Sequence, residues 1–272
     1  MSMRVLSWNL YHGRDFPPDP ALLTTRSRLL KVTERGPTHA QVNRSLLPEF
    51  ALLLDRFAWD VALLQEAPPR WFRAFARRTR SDGALVRTSR NLLPALQWRL
   101  ADLNPDLLAS SEGGSNQILV RRPGRIAETR RMRLAERPER RRMIWSRVEL
   151  PGGRVCVANL HASAGLPAAA SAELLRAAEQ AVEWAGPDPL VLGGDLNLRP
   201  RRDPGPFELL RERFGLGEPT GPNAIDHVLV RGLATEERPH RLEPAERELA
   251  EPDGRRIRLS DHAPVAARFR LP

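Results

Sequence analysis

Residues 189–197 read PLVLGGDLN: a short apolar run, two glycines, then an aspartate and an asparagine on either side of a leucine. A continuous apolar run of this length, ended by glycine, reads as a strand buried on both faces. Asp195 and Asn197 then stand at its end. The same arrangement recurs outward along the chain. MRVLSWN (3–9) ends in Asn9, DVALLQ (60–65) is followed by Glu66, and VCVANL (155–160) is followed by His161. Asp226 opens IDHVLV, and Asp261-His262 stands just before the last strand pattern, 263–271. Loops at strand ends are where a rigid sheet presents chemical groups, whereas strand interiors build the core.

Between these strands, apolar residues recur at helical spacing over 46–57, 71–78, about 91–103, 168–185 and 207–214. Gln117–Arg121 and Ile144–Leu150 add strands, and Pro151-Gly152-Gly153 before the 155–160 strand has hairpin chemistry. Hairpins mixed with βαβ-like pieces predict an α/β fold with mixed sheets, not a purely parallel doubly wound one. No repeat interrupts the pattern, so residues 1–272 read as one domain. Residues 14–45, polar and rich in Pro and Arg, read as an ordered insertion with a short helix.

Composition narrows the function classes. The chain has 272 residues, 43 basic against 33 acidic, a net charge of +10 and one cysteine. Cys156 alone excludes a disulfide framework and a cysteine-rich zinc site. No apolar run approaches the ~20 residues of a membrane span, and the N-terminus enters a strand without a signal-peptide pattern, so a cytoplasmic protein is expected. Lys31 is the only lysine, and so strong an arginine bias reflects bulk composition as readily as a field for polyanions. No GxxxxGK[ST] loop or strand-linked GxGxxG is present. The run from Arg130 to Arg142 reads either as a phosphate track or as a solvated loop interrupted by Glu136 and Glu139. The tryptophans read as packing residues.

The strand-end residues form a chemical inventory. Glu66, Asp195 and Asp261 supply negative charge, and Asn9 and Asn197 supply neutral oxygens, a set suited to a hard divalent cation. His161 and His262 can move protons or donate to a phosphate, and Asp226 can fix one imidazole's tautomer. This suits metal-assisted hydrolysis of a phosphate ester. His227 alternates to the other face of its strand and is not expected to be a ligand; His12, just past Asn9, is a candidate for approach to the cleft.

The ordered set SWNLYHG, LLQEAP, GSNQILVRRP, VANLHAS, VLGGDLN, IDHVLV and LSDHAPV, spanning residues 4 to 270, resembles the endonuclease/exonuclease/phosphatase superfamily. The resemblance implies a four-layered α/β sandwich, two packed mixed β-sheets flanked by helices, with the site at one end. It implies that Glu66, with Asn9 and Asp261, binds Mg²⁺ or Mn²⁺, and that Asp195 orients or deprotonates the attacking water. Asn197 would hold a phosphate oxygen. His262, paired with Asp226, would stabilise the transition state, and His161 would donate to phosphate or leaving group. Asn116 and Arg142, or its neighbour Arg141, would add phosphate contacts.

His161 departs from the abasic-site endonuclease pattern, and the single cysteine departs from the secreted deoxyribonucleases. Stretches 14–45 and 79–115 are longer than a minimal member needs. The leading expectation is phosphodiester cleavage in DNA. The alternatives are a phosphatase or phosphodiesterase on a small-molecule or lipid head-group phosphate, and a nucleic-acid-binding protein with a dead site. The intact acid, amide and histidine set argues against the last.

Overall fold

The computed structural model describes residues 1–88, 98, 101, 103–136 and 140–272; the helix expected over about 91–103 lies mostly outside them. The strands are β1 (Ser2–Asn9), the short pair β2 (Glu34–Arg35) and β3 (Ala40–Gln41), β4 (Val61–Ala67), β5 (Ser81–Arg87) and β6 (Ser115–Arg121). They continue with β7 (Arg125–Ala135), β8 (Arg141–Leu150), β9 (Gly153–His161), β10 (Leu190–Asp195), β11 (Asp226–Arg231) and β12 (Ala234–Arg241). The short pair β13 (Glu248–Ala250) and β14 (Arg256–Arg258) precedes β15 (Val265–Arg270).

One large sheet has the order β12-β15-β1-β4-β6-β5 and the other β11-β10-β9-β8-β7. β1 is parallel to β4 and β9 to β10, and the other neighbours are antiparallel. The expected mixed sheets are therefore present. Val5, Val61, Leu63, Ile118 and Val120 from the first sheet pack against Ile144, Val155, Val157, Val191 and Val228 from the second. Outside the first sheet, helices Leu47–Arg56 and Phe72–Arg78 bury Phe50, Leu54 and Phe75 against Leu6, Trp8 and Leu64. Outside the second, helix Pro167–Ala185 lays Ala170, Leu174, Ala177, Ala178 and Ala181 on Ala158, Leu160 and Leu192. The small alanine face suits a close approach to the sheet, and the result is a four-layered α/β sandwich. With both sheet faces covered, the central strands must be apolar almost throughout, which is why they read as continuous runs. No helix among the described residues is long and apolar enough to cross a membrane.

Two stretches differ from the sequence reading. Arg125–Ala135, whose arginines suggested a solvated loop as one option, is the edge strand β7 paired along β8. Its exposed side chains hide the strand because only one face and one edge meet the protein. Ser81–Arg87, inside the stretch taken as an insertion, is the edge strand β5. Residues 14–45 carry helix Thr25–Leu30, N-capped by Thr24, and the β2–β3 pair. They pack on the segment before β6: Asn43 Nδ2 donates to Asn104 Oδ1 at 2.8 Å and Gln41 Nε2 to Asp106 Oδ2 at 2.6 Å.

His227 has a structural place, as its alternation implied. Its ring is fully buried, Nδ1 accepts from the Thr220 amide at 3.1 Å, and Nε2 lies 3.2 and 3.1 Å from the carbonyls of Leu198 and Ala224. Burial is the main force pushing its pKa from 6.5 down to about 4. Between those values the unfolded chain takes up a proton that the folded chain refuses, so stability is present above pH 6.5 and is lost as pH falls toward 4. Over the whole window the loss is on the order of 3 kcal/mol. In His227→Gln, denaturation between pH 6.5 and 4 should show a shallower fall than wild type by about 1 kcal/mol per pH unit. Identical slopes would remove His227 from the acid sensitivity.

Candidate active site

Asn9, Glu66, His161 and Asp195 lie at or beside the ends of β1, β4, β9 and β10, strands whose parallel pairing delivers them to one end of the sandwich. Glu66 owes its position to an irregularity. Leu64 pairs with Gln117 and Ala67 with Ser115, so Gln65 and Glu66 together face Asn116 as a bulge, with Glu66 at φ +48°. Asn159, from the opposite sheet, clamps this bulge. Its Nδ2 donates to the carbonyls of Leu64 at 2.9 Å and Gln117 at 2.8 Å, and its Oδ1 accepts from Gln65 Nε2 at 2.7 Å. All of these groups are buried.

The GGD end of β10 delivers Asp195 for a steric reason. A Cβ on Gly194, which sits at φ +133°, would lie 1.9 Å from the carbonyl oxygen of Leu160, so β10 can approach β9 here only as glycine. Asp195 Oδ2 is then a hub. Asn9 Nδ2 donates to it at 3.0 Å, and His161 Nε2 and His262 Nε2 lie 3.5 and 3.8 Å away. Asp195 Oδ1 accepts from the amide of Asn197 at 3.1 Å; Asn197, at φ +53°, ties its own side chain to the carbonyl of Ala162.

The Asp261-His262 loop is fixed to β1. Ser260 Oγ donates to the carbonyl of Asn9 at 2.7 Å and accepts from the His262 amide, and Trp8 Nε1 donates to the His262 carbonyl. His262 Nδ1 lies 2.8 Å from Asp226 Oδ2, and its Nε2 is 3.8 Å from Asp261 Oδ1. Burial works against charging this ring. The bond to Asp226, with the charges of Asp195 and Asp261, outweighs it and raises the pKa to about 10. His161 goes the other way: burial and the charge of Arg141 take it down to about 3, against the pull of Glu66. Near neutral pH one imidazole is therefore cationic and the other neutral.

The carboxylates are shifted in different directions. Burial raises Asp261, and Glu66 raises it further; burial and the charge of Asp226 push Asp195 up. Burial also opposes ionisation of Glu66, but nearby histidine charges and a bond from Asn9 bring it below its usual value. His12 reaches Glu66 directly, Nε2 to Oε2 at 3.2 Å, from a turn in which Tyr11, His12 and Gly13 all have positive φ. The approach suggested by its place after Asn9 is real.

Glu66 and Asp261, beside Asn9, offer carboxylate and amide oxygens, a donor set that fits a hard divalent cation. Asp195, Asp226 and His262 also bring ligand atoms within 4.8 Å of one another. That trio suits a cation less well. The His262 ring is charged and its Nδ1 faces Asp226, whereas a metal needs a bare nitrogen.

Asn116 is buried, donates through Nδ2 to the carbonyl of Arg142 at 2.8 Å, and faces the bulge. Of the two arginines left open by the sequence, Arg141 is the one whose charge acts on His161; Arg142 lines a shallow groove with Arg131, Met132 and Arg133. Sequence reasoning missed Gln65 and Asn159. Their only signal is polarity at positions where the strand alternation faces the core.

A family model described as "Endonuclease/Exonuclease/phosphatase family" matches residues 6–262. No curated protein matches significantly. Solved structures share the fold at low identity. The human Nocturnin catalytic domain with bound sulfate is 15% identical with a TM-score of 0.64, covering 100% of this chain and 95% of its own. D. rerio TDP2, complexed with single strand DNA product, is 13% identical with a TM-score of 0.61, covering 99% of each chain. The Bacteroides thetaiotaomicron mannosyl-6-phosphatase is 15% identical with a TM-score of 0.63, covering 99% of this chain and 100% of its own.

Asn159→Ala removes three buried hydrogen bonds, one to each of two carbonyls and one from Gln65 Nε2. It should lower stability in denaturant titrations by roughly 2–4 kcal/mol. In protein that remains folded it should weaken Mn²⁺ binding about tenfold, by releasing Glu66. Stability within about 0.5 kcal/mol of wild type would contradict the clamp.

Proposed function

Because the chain belongs to the endonuclease/exonuclease/phosphatase family, whose members are phosphoester hydrolases, we propose that it is a Mg²⁺- or Mn²⁺-dependent phosphodiesterase acting on DNA. The observation that carries this reading is the pairing of a cationic His262, bonded to Asp226, with an Asp195 held up in pKa beside it. The net charge of +10 supports a polyanionic substrate. The wider reading takes the whole chain as one catalytic unit, with 14–45 and part of 79–115 as additions near the cleft. It includes a cytoplasmic location, for which the single, buried Cys156 is the support.

Glu66 and Asp261, with the Asn9 amide, would hold the metal, which when bound neutralises phosphate charge and eases departure of the leaving oxygen. Asp195, raised toward neutrality and fixed by Asn9 and the Asn197 amide, aligns the attacking water and takes its proton. His262 donates from Nε2 to a non-bridging phosphate oxygen, and Asp226 keeps its ring oriented and charged. His161, neutral, donates to phosphate or leaving group. Asn116, Asn197 and Arg141 complete the polar wall.

The test is nicking of supercoiled plasmid with Mg²⁺ or Mn²⁺, with EDTA as control. Glu66→Ala and His262→Ala should each reduce metal-dependent nicking about a hundredfold or more. No nicking under any salt condition would sink the DNA reading. Hydrolysis of sugar phosphates or phospholipid head groups instead would select the phosphatase alternative.

A further inference from the structure

The arginines of the β7–β8 hairpin are arranged, not scattered. Arg133 pairs across the strands with Arg142 and Arg131 with Ile144, so the three arginines share the face that Ile144 turns into the core between the sheets. Arg131, Met132, Arg133 and Arg142 line one groove of about 240 Å³. Positive charge there is poorly balanced. Glu136 pairs with both Arg133 and Arg140, while no carboxylate among the described residues pairs with Arg131 or Arg142. Arg142 Nε is buried without a hydrogen-bond partner. Burial and the charges of Arg140, Arg133 and Arg131 depress the Arg142 guanidinium, with Glu136 opposing.

The groove adjoins the site. The Arg142 carbonyl accepts from Asn116, and Arg142 follows the Met143–Leu160 pair toward His161 on the neighbouring strand. Cross-strand neighbours stand about 4.5–5.5 Å apart at Cβ, and alternation from Ile144 and Val157 puts Arg142 and His161 on one face. A substrate with one phosphate engages His161 and His262 and leaves three guanidiniums unused. A repeating phosphodiester uses both places.

We propose that this groove holds the phosphate next to the one cleaved, so that the protein works on a polynucleotide strand and not on an isolated phosphate ester. The proposal rests on the DNA phosphodiesterase reading above and assigns the place of the neighbouring phosphate.

Anisotropy of a short fluorescein-labelled single-stranded DNA in EDTA tests the groove apart from cleavage. Arg131→Gln and Arg133→Gln should each weaken binding roughly three- to tenfold, the range of one partly exposed charge-assisted contact. Each should also lower the slope of log affinity against log salt by about 0.7. Arg125→Gln, at the far end of β7, should change neither. Equal affinity and slope in the groove variants, or equal weakening by Arg125→Gln, would overturn the proposal. Tighter binding of a multiply phosphorylated sugar with the same arginine dependence would overturn the strand assignment. Groove-dependent binding without strand hydrolysis in Mg²⁺ would support the groove and reject the nuclease reading.

Discussion

The Asn159 side chain joins the two sheets where the site begins. A bulge at Gln65–Glu66 interrupts the β4–β6 ladder just past the Leu64–Gln117 pair, and the carbonyls of that pair are buried. Asn159 gives each of them a hydrogen bond from the facing sheet and accepts one from Gln65. One amide thus stabilises the irregularity that turns Glu66 into the cleft and fixes the distance between the layers that carry Glu66 and His161. Placement of the other groups follows from strand ends meeting across that fixed gap.

Charge is divided across the cleft in a way that neither side could sustain alone. Burial and the charge of Glu66 raise the cost of ionising Asp261, while the neighbouring histidines ease that of Glu66. His262, surrounded by Asp226, Asp195 and Asp261, carries its own proton and needs no metal. Asp195 lies between, bonded by Asn9 from one sheet and Asn197 from its own loop.

Much of this was legible in the sequence, because strands buried on both faces must be apolar and polar residues at their ends then stand out. MRVLSWN, PLVLGGDLN and SDHAPV declared both the sheets and Asn9, Asp195 and His262. The glycines of GGD were readable as the end of an apolar run, though not as the steric requirement set by the Leu160 carbonyl within β10. Edge strands were harder. β7 alternates weakly and exposes arginines, so its strand character comes from pairing with β8 and not from burial. Bulges were invisible: nothing in LLQEAP says that Gln65 and Glu66 share one partner. The choice between Arg141 and Arg142 depended on local geometry that spacing does not encode.

In the proposed function the cation belongs to Glu66 and Asp261, and the Asp226–His262 pair is left to meet the phosphate. Anomalous scattering from crystals soaked in Mn²⁺ addresses it directly. The expected result is a peak next to Glu66, Asp261 and the Asn9 amide, with His262 still bonded to Asp226. A peak among Asp195, Asp226 and His262, or none in the cleft, would contradict it.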